Sequence, residues 1–418
     1  MESTLVILGN ELEYDFLSAW IKYTRIKNNF SQEALAHGIC SISHLSYFEN
    51  GKKHLRTDVI NALLKKLNID NFDKFVDIGR VRQKLNTMMN DIESYNFESA
   101  KTIYNDLLKI ESLINHSPYS IEFKIYDLMY KTFVEMIDYN YVKNDLILLD
   151  KIYTSLSDEL KYLYLLISGD LLYRAHENEQ GIERQMRALN FKDTSWINFC
   201  LGRAFCFNDN MGRGTYYLEK ALDSYEKSGR YLNAVWCHNY LGVCFSYLKM
   251  YESSEKHFNA GLMSAKHFDM VKLFWHLYNN LSDLYLIKGD YKRSIKWSKL
   301  AMECNYENLA CVYNYISACI KLNKLDECKV IFDKYLSEEY KTSKYYDSIY
   351  FLYLAVYRFK EDFFYEEVKN KILPYFENIK KKDICKDIKL KLIEYLESKR
   401  KYKEANKFYK ELMNEHIH

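Results

Sequence analysis

Most of the chain carries apolar residues at a helical period. From about residue 78 onward, long apolar and aromatic segments each lead through a short polar break into a second amphipathic segment. The clearest unit is YNNLSDLYLIKGDYKRSIKWSKLAM, residues 278–302, in which Leu281 and Leu284 share one face and Gly289 begins the turn. One such pair cannot bury its own apolar face, so the pattern predicts helix pairs that stack on their neighbours.

Weaker copies of this unit precede and follow it. About nine helix pairs can be counted by eye between residues 78 and 416, with a period nearer to about 40 residues than to the usual ~34. The unit resembles a tetratricopeptide repeat. That resemblance implies a right-handed superhelix with a concave inner surface.

The composition favours the same fold class. The chain has only two prolines and thirteen glycines in 418 residues, which is few for the tight turns that strands and hairpins require. We therefore predict an all-α protein.

A different pattern occupies the segment FSQEALAHGICSISHLSYFENGKK, residues 30–53. Ser31 can cap a short helix that Gly38 ends, and a second helix begins three residues later. The phase of this second helix buries Leu45 and Phe48 and turns its first-turn side chains outward. This is the outline of a helix-turn-helix. Flanking helices supply the remaining apolar positions, namely Leu17, Trp20, Ile21, Val59, Ile60, Leu63, Leu64 and Leu67.

Positive charge is concentrated around this segment. The whole chain has a net charge of only +2, but residues 22–66 contain eight lysine and arginine residues against three acidic ones, a net charge of +5. A local basic cluster of this kind is typical of a nucleic-acid-binding face.

The segment resembles the Cro/repressor type of helix-turn-helix domain, with SQEALA as the first motif helix and HLSYFENGKK running out of the recognition helix. The turn HGICS is one residue shorter than usual and carries Cys40 where glycine is common, which is similar to peptide-sensing bacterial regulators. The resemblance implies a role for each of seven residues in binding DNA. Gln32 would contact a phosphate, Ile42, Ser43 and Tyr47 would face the major groove, Lys52 and Lys53 would neutralise phosphates, and His44 would contact phosphate or lie in a surface network. The alternative is a small helical domain that has lost DNA binding.

Asparagines recur on the first helices of the predicted pairs. Asn198, Asn239 and Asn280 are 41 residues apart and Asn314 follows 34 residues later. Equivalent positions in stacked repeats point into the groove, where carboxamides can pair with both N–H and C=O of an extended peptide. Nearby Arg203 and Asp283 could meet a peptide terminus or a charged side chain. The alternative is chance, because the chain is rich in Lys, Asn, Ile and Tyr, as in an AT-rich genome.

If the asparagines bind a peptide, alanine at Asn239 and Asn280 should abolish the response to it. Alanine has the higher helix propensity, so we expect these changes to leave the fold intact.

Together these features resemble the peptide-responsive regulators of the Rap–Rgg–NprR–PlcR–PrgX superfamily. The resemblance implies a DNA-binding domain over residues 1–70 and a repeat domain over 71–418 that binds a short signalling peptide in quorum sensing. It also implies a homodimer on a pseudo-palindromic operator. The competing hypothesis is a scaffold that docks and sequesters or dephosphorylates a response regulator.

Nothing in the sequence indicates an enzyme. We find no catalytic constellation, phosphate-binding loop or metal-ligand spacing, so we expect no cofactor. The ten cysteines include no C-x-x-C pair, which favours buried reduced thiols over redox sensing or metal binding. The chain shows no long apolar run and MESTLVILGN has no signal-peptide features, so we expect a cytoplasmic protein without membrane association.

Overall fold

A computed structural model describes residues 11–69, 78–304, 308–379 and 381–415. Every regular element within these ranges is helical, which confirms the predicted all-α fold with an N-terminal helix-turn-helix. The chain divides after Leu248 into two compact units, residues 1–248 and 249–418. The division predicted between residues 70 and 71 falls inside the first unit.

The first unit contains fourteen α-helices in its described residues. They are α1 (Glu11–Lys27), α2 (Gln32–Ala36), α3 (Ile42–Glu49), α4 (Thr57–Lys66), α5 (Ile78–Glu93), α6 (Phe97–Leu108), α7 (Glu111–Asn115), α8 (Ser120–Phe133), α9 (Tyr139–Ile152), α10 (Asp158–Arg174), α11 (Asn178–Phe191), α12 (Ser195–Phe207), α13 (Met211–Lys227) and α14 (Tyr231–Tyr247). A 3-10 turn, Tyr153–Ser155, follows α9.

The second unit contains ten α-helices in the part that the structure describes. They are α15 (Tyr251–His267), α16 (Val271–Ile287), α17 (Tyr291–Cys304), α18 (Ala310–Lys321), α19 (Leu325–Tyr335), α20 (Tyr346–Tyr357), α21 (Asp362–Glu367), α22 (Leu373–Asn378), α23 (Lys382–Ser398) and α24 (Tyr402–Glu415). A π-helical turn, Val368–Ile372, joins α21 to α22. By their order along the described chain, and with α21 and α22 counted as one helix, the helices from α5 onward make nine pairs, with α7 as an addition.

Helix α1 contributes to two hydrophobic cores. Leu17, Trp20 and Ile21 pack into the helix-turn-helix core with residues of α2, α3 and α4. Phe16 and Ala19, on the other side of α1, join the core of the repeats. The helix-turn-helix is therefore packed against the repeats through its own first helix.

Close backbone approach holds the pair α10/α11 together. Gly169 and Gly181 face each other where the helices meet, and a Cβ added at Gly181 would lie 2.8 Å from the Gly169 carbonyl oxygen and 3.0 Å from the Tyr173 nitrogen. Both neighbours are backbone atoms and cannot move aside alone. Glycine here permits a distance between the helices that no larger residue allows.

We expect Gly181→Ala to destabilise the protein by about 1–3 kcal/mol, because the helices must separate. Helix propensity alone would instead raise the free energy of unfolding by up to about 1 kcal/mol, because alanine favours a helix more than glycine does. Gly212→Ala in α13 is the matched control, since an added Cβ there meets nothing within 4 Å. Urea unfolding of both variants checks the prediction, and equal effects of the two changes would contradict it.

In each unit the first helices of successive pairs pack against one another. Contacts join α8 to α10, α10 to α12 and α12 to α14 in the first unit, and α16 to α18 and α18 to α20 in the second. We call these rows of first helices the inner wall of each unit.

Candidate DNA-binding face and peptide-binding walls

The outer face of α3 presents the residues predicted to read DNA. Ser41 caps the helix by accepting a hydrogen bond from the His44 N–H at 3.1 Å, while Leu45 and Phe48 are buried as predicted. Ile42 is 47% exposed and Tyr47 is 52% exposed. Exposed side chains of this size on an N-terminally capped helix form a surface that can enter a major groove. Ser43, His44, Lys52 and Lys53 are exposed as well.

A buried ion pair fixes the end of α3. The Glu49 side chain has no exposed surface, and its carboxylate accepts hydrogen bonds from Arg25 Nε at 2.5 Å and Arg25 Nη2 at 2.8 Å. Sequence reasoning missed this pair. The signal was available, because Glu49 lies four residues after Leu45 and so shares its buried face.

Gln32 takes part in the same network. Its amide nitrogen donates to Glu49 Oε2 at 2.8 Å. The predicted phosphate contact stays a prediction, and it would use the second N–H of the same amide nitrogen, since the amide oxygen cannot donate to a phosphate. The bond to Glu49 aligns α2 with the end of α3.

The end of α3 is also bonded to the repeats. Ser155 Oγ donates to the Glu49 carbonyl oxygen. Lys22 Nζ lies 3.0 Å from both Asn50 Oδ1 and Thr154 Oγ1, and burial lowers the pKa of Lys22. We call these contacts the junction. It links the recognition helix to the turn after α9, and sequence spacing gave no indication of it.

The predicted basic cluster is only partly an outward surface. Lys22 and Arg25 are both buried, and Arg56 forms an ion pair with Asp58 at 2.5 Å. Among the described residues Lys52 and Lys53 have no acidic partner within ion-pair distance. Lys52 and Lys53, in the loop after α3, are therefore exposed cations directly beside the outer face of that helix.

The inner wall of the first unit holds Asn198, Arg203 and Asn239. Asn198 is buried, and its amide donates to Asp193 Oδ1 at 2.6 Å and to the Thr194 carbonyl at 2.7 Å, while its own oxygen accepts no hydrogen bond. Asn239 is also buried. The amide nitrogen of Asn198 is therefore already bonded to the two residues before α12, whose cap is Thr194, and the 41-residue spacing could not reveal these bonds.

A charged cluster with one excess positive charge lies on this wall. The buried carboxylate of Asp170 pairs with both Arg203 and Arg174, and the Arg174 Nε lies 3.1 Å from Asp170 Oδ2. The rings of Tyr173 and Phe199 lie 5.7 and 5.9 Å from the Arg203 guanidinium carbon. Two guanidinium groups share one carboxylate, so the cluster can accept a further anion.

The inner wall of the second unit holds Asn280, Asp283 and Asn314. Asn280 Oδ1 accepts from Asn279 at 3.3 Å, and the buried Asn314 donates to the Asn279 carbonyl at 3.5 Å. Asp283 is partly buried and forms no hydrogen bond or ion pair with the described residues. Burial raises the pKa of Asp283 to about 6. An unpaired carboxylate in such a place is a candidate for binding a cation.

Three asparagines of the predicted row are thus buried rather than open to solvent, namely Asn198, Asn239 and Asn314. Of the two residues in the alanine test, Asn239 is buried and Asn280 is partly exposed, and the expectation that both changes leave the fold intact stays a prediction. Whether they also bind a peptide stays a prediction.

The described residues contain no group of three metal-ligating side chains and no helix long and apolar enough to cross a membrane. Eight of the ten cysteines are buried free thiols, while Cys304 is exposed and Cys40 is partly exposed.

Comparison with known proteins gives the same architecture. A family model described as helix-turn-helix matches residues 21–70. The transcriptional activator NprA of Geobacillus stearothermophilus is 23% identical over 402 residues, which cover 90% of this chain and 97% of NprA. The apo form of the quorum sensor NprR from B. thuringiensis has a TM-score of 0.69 at 19% identity, covering 80% of this chain and 98% of NprR. A Rap protein complexed with competence and sporulation factor has a TM-score of 0.64 at 17% identity, and the match covers 80% of this chain and 97% of the Rap chain.

These comparisons show a helix-turn-helix domain at residues 21–70 and, behind it, the helical-pair fold of the solved NprR and Rap structures. Over nearly its whole length the chain is similar to a transcriptional activator.

Proposed function

We propose that this protein is a cytoplasmic transcription regulator of quorum sensing, whose operator binding is altered by a short linear peptide held on the repeats. The relative NprA is named a transcriptional activator, and one solved NprR structure is in complex with its cognate peptide NprX. The observation that carries the proposal is the exposed outer face of α3, flanked by Lys52 and Lys53. It offers side chains for base edges and cations for phosphates in one surface.

The inner walls offer the chemistry that a peptide requires. In the first unit, the excess positive charge at Arg174 and Arg203 would bind a carboxylate. In the second unit, the unpaired carboxylate of Asp283 would bind an amino or guanidinium group. Asn239, Asn280 and Asn314 would pair with the peptide backbone, and the free oxygen of Asn198 would accept from a backbone N–H.

The junction supports a mechanism of coupling. Glu49 and Asn50, at the end of the recognition helix, are bonded directly to Ser155 and Thr154 of the repeats. A peptide that favours one arrangement of the inner wall would therefore bias the position of α3, by its differential affinity for the two arrangements. Pairing two chains on a pseudo-palindromic operator would add a second half-site contact, so we propose a homodimer.

The alternative of a scaffold for a response regulator has weaker support. It draws on the fold shared with Rap proteins, and that fold alone does not explain the exposed face of α3 or the cations beside it. The proposal above accounts for both.

We expect Lys52→Ala/Lys53→Ala to weaken binding to every DNA sequence and to flatten the salt dependence by about two units per chain, because each lost phosphate contact removes about 0.9. Ser43→Ala should instead relax base preference at one position. Fluorescence anisotropy over a range of salt concentrations measures both. Lys101→Ala/Lys407→Ala, which removes two exposed lysines elsewhere, is the control. If all variants match wild type, the assignment of α3 as the recognition helix is wrong.

A further inference from the structure

A pocket lies beside the loop that follows the recognition helix. Its volume is about 430 Å³, and it opens to solvent between the helix-turn-helix and the repeats. The lining residues come from both parts, namely Asn50, Lys52, Tyr153, Thr154, Lys161 and Phe191. We call it the flank pocket. It adjoins Lys52, which the proposed function assigns to a phosphate of DNA.

Two cations line the flank pocket, and a third lies over the ring of a lining residue. Lys52 belongs to the loop after α3, and Lys161 belongs to α10, where its Nζ lies 5.7 Å from the centre of the Phe191 ring. Arg187 belongs to α11 and lies with its guanidinium carbon 5.2 Å from the centre of the Tyr153 ring. Side chains far apart in sequence thus place positive charge in the lining of the pocket and beside its Tyr153 ring.

Little negative charge opposes these cations. Lys161 is paired with Asp158 at 3.0 Å, but the Asp158 side chain is 77% exposed. Exposed pairs of this kind contribute at most about 1 kcal/mol and exchange readily for another anion. Asp150 is already bound to Arg184 at 2.9 Å. In the part of the chain that the structure describes, Lys52 and Arg187 have no acidic partner within ion-pair distance.

We propose that the flank pocket binds the phosphate backbone of DNA just outside the bases that α3 reads. This inference rests on the proposed function, because it extends the DNA surface from Lys52 onto the repeats. A strand whose phosphate meets Lys52 continues past the opening, where Lys161 and Arg187 would meet the next phosphates. These contacts add affinity without base preference. These phosphate contacts also make DNA affinity depend on the position of α10 and α11. Because these helices belong to the repeats, DNA affinity then depends on the arrangement of the repeats.

The test uses the full chain and two duplexes that carry a site selected by the protein from a randomised pool. One duplex ends at the selected bases, and the other extends by about one helical turn on each side. The variant is Lys161→Gln/Arg187→Gln. The matched control is Lys101→Gln/Arg213→Gln, which removes the same charge and also an arginine above a ring, since Arg213 lies 4.8 Å from the centre of Phe205. Thermal melting of each variant establishes that it is folded.

We expect wild type and the control to bind the long duplex more tightly than the short one. The flank-pocket variant should lose this difference, with a salt slope on the long duplex lower by about one to two units per chain. Equal slopes for wild type and variant on the long duplex would overturn the inference. An equal loss on both duplexes would also overturn it, because it would indicate a general effect of charge or a site for free anions. If wild type selects and retains no duplex, the proposed function fails together with the inference.

Discussion

Replacing Arg25 with methionine should lower the free energy of unfolding by about 3–5 kcal/mol, because the carboxylate of Glu49 would remain buried without its cation. Arg25 supplies two hydrogen bonds to Glu49, and its Nη1 also donates to the Phe30 carbonyl at 2.9 Å. The loss should appear in urea unfolding of the full chain and should abolish DNA binding, since Glu49 ends the recognition helix.

A second variant separates loss of the charge pair from loss of packing. In Arg25→Met/Glu49→Gln the buried group is neutral and can still accept from Gln32, so about half or more of the lost stability should return. If the double variant is as unstable as Arg25→Met alone, the arginine acts through packing and not through the charge of Glu49.

Replacing Asp283 with asparagine should stabilise the protein at neutral pH while weakening peptide binding. Burial raises the pKa of Asp283 from 3.8 to about 6. The folded protein therefore holds this proton more tightly than the unfolded chain does. The tighter proton binding by Asp283 contributes to the free energy of unfolding below about pH 4, and this contribution is lost as the pH rises to about 6. Asparagine does not titrate, so the variant should exceed wild type by roughly 1–3 kcal/mol at pH 7.5 and by little at pH 4.

Thermal melting between pH 4 and 8 measures the first part of this prediction. A stability difference that does not change with pH would contradict it. Display of a random peptide library, selected on the immobilised full chain, measures the second part. Wild type should enrich lysine or arginine at one position and Asp283→Asn should not. Stabilisation together with loss of a ligand is typical of a group kept for binding at the expense of stability.

Local patterns in the sequence predicted most of the fold. The Ser31 cap and the helical spacing of the buried residues Leu45 and Phe48 were sufficient to predict the helix-turn-helix. Capping and helical spacing depend only on residues that are neighbours in the sequence. The helix pairs followed from the same period. The close contact between Gly169 and Gly181 was not predictable, since it depends on how two helices cross.

The site was less predictable because its features depend on tertiary contacts. Lys22 and Arg25 count as positive charge in the sequence, yet both turn inward, one to the junction and one to Glu49. The spacing of the asparagines located them on first helices but could not show that Asn198 is bonded to Asp193. Arg203 is paired with Asp170, whereas Asp283 has no ion-pair partner among the described residues. Both facts depend on how the helices pack, so the sequence could not show them.

Whether α3 reads DNA is tested most directly by selecting duplexes from a randomised pool with the full chain, in parallel with Ser43→Ala and Lys52→Ala/Lys53→Ala. Wild type should converge on one pseudo-palindromic sequence. Ser43→Ala should converge with relaxed preference at symmetric positions, and the lysine variant should retain DNA only at lower salt. If the DNA pool selected by the wild-type protein stays random through successive rounds, this result would contradict the assignment of α3 as the helix that reads DNA.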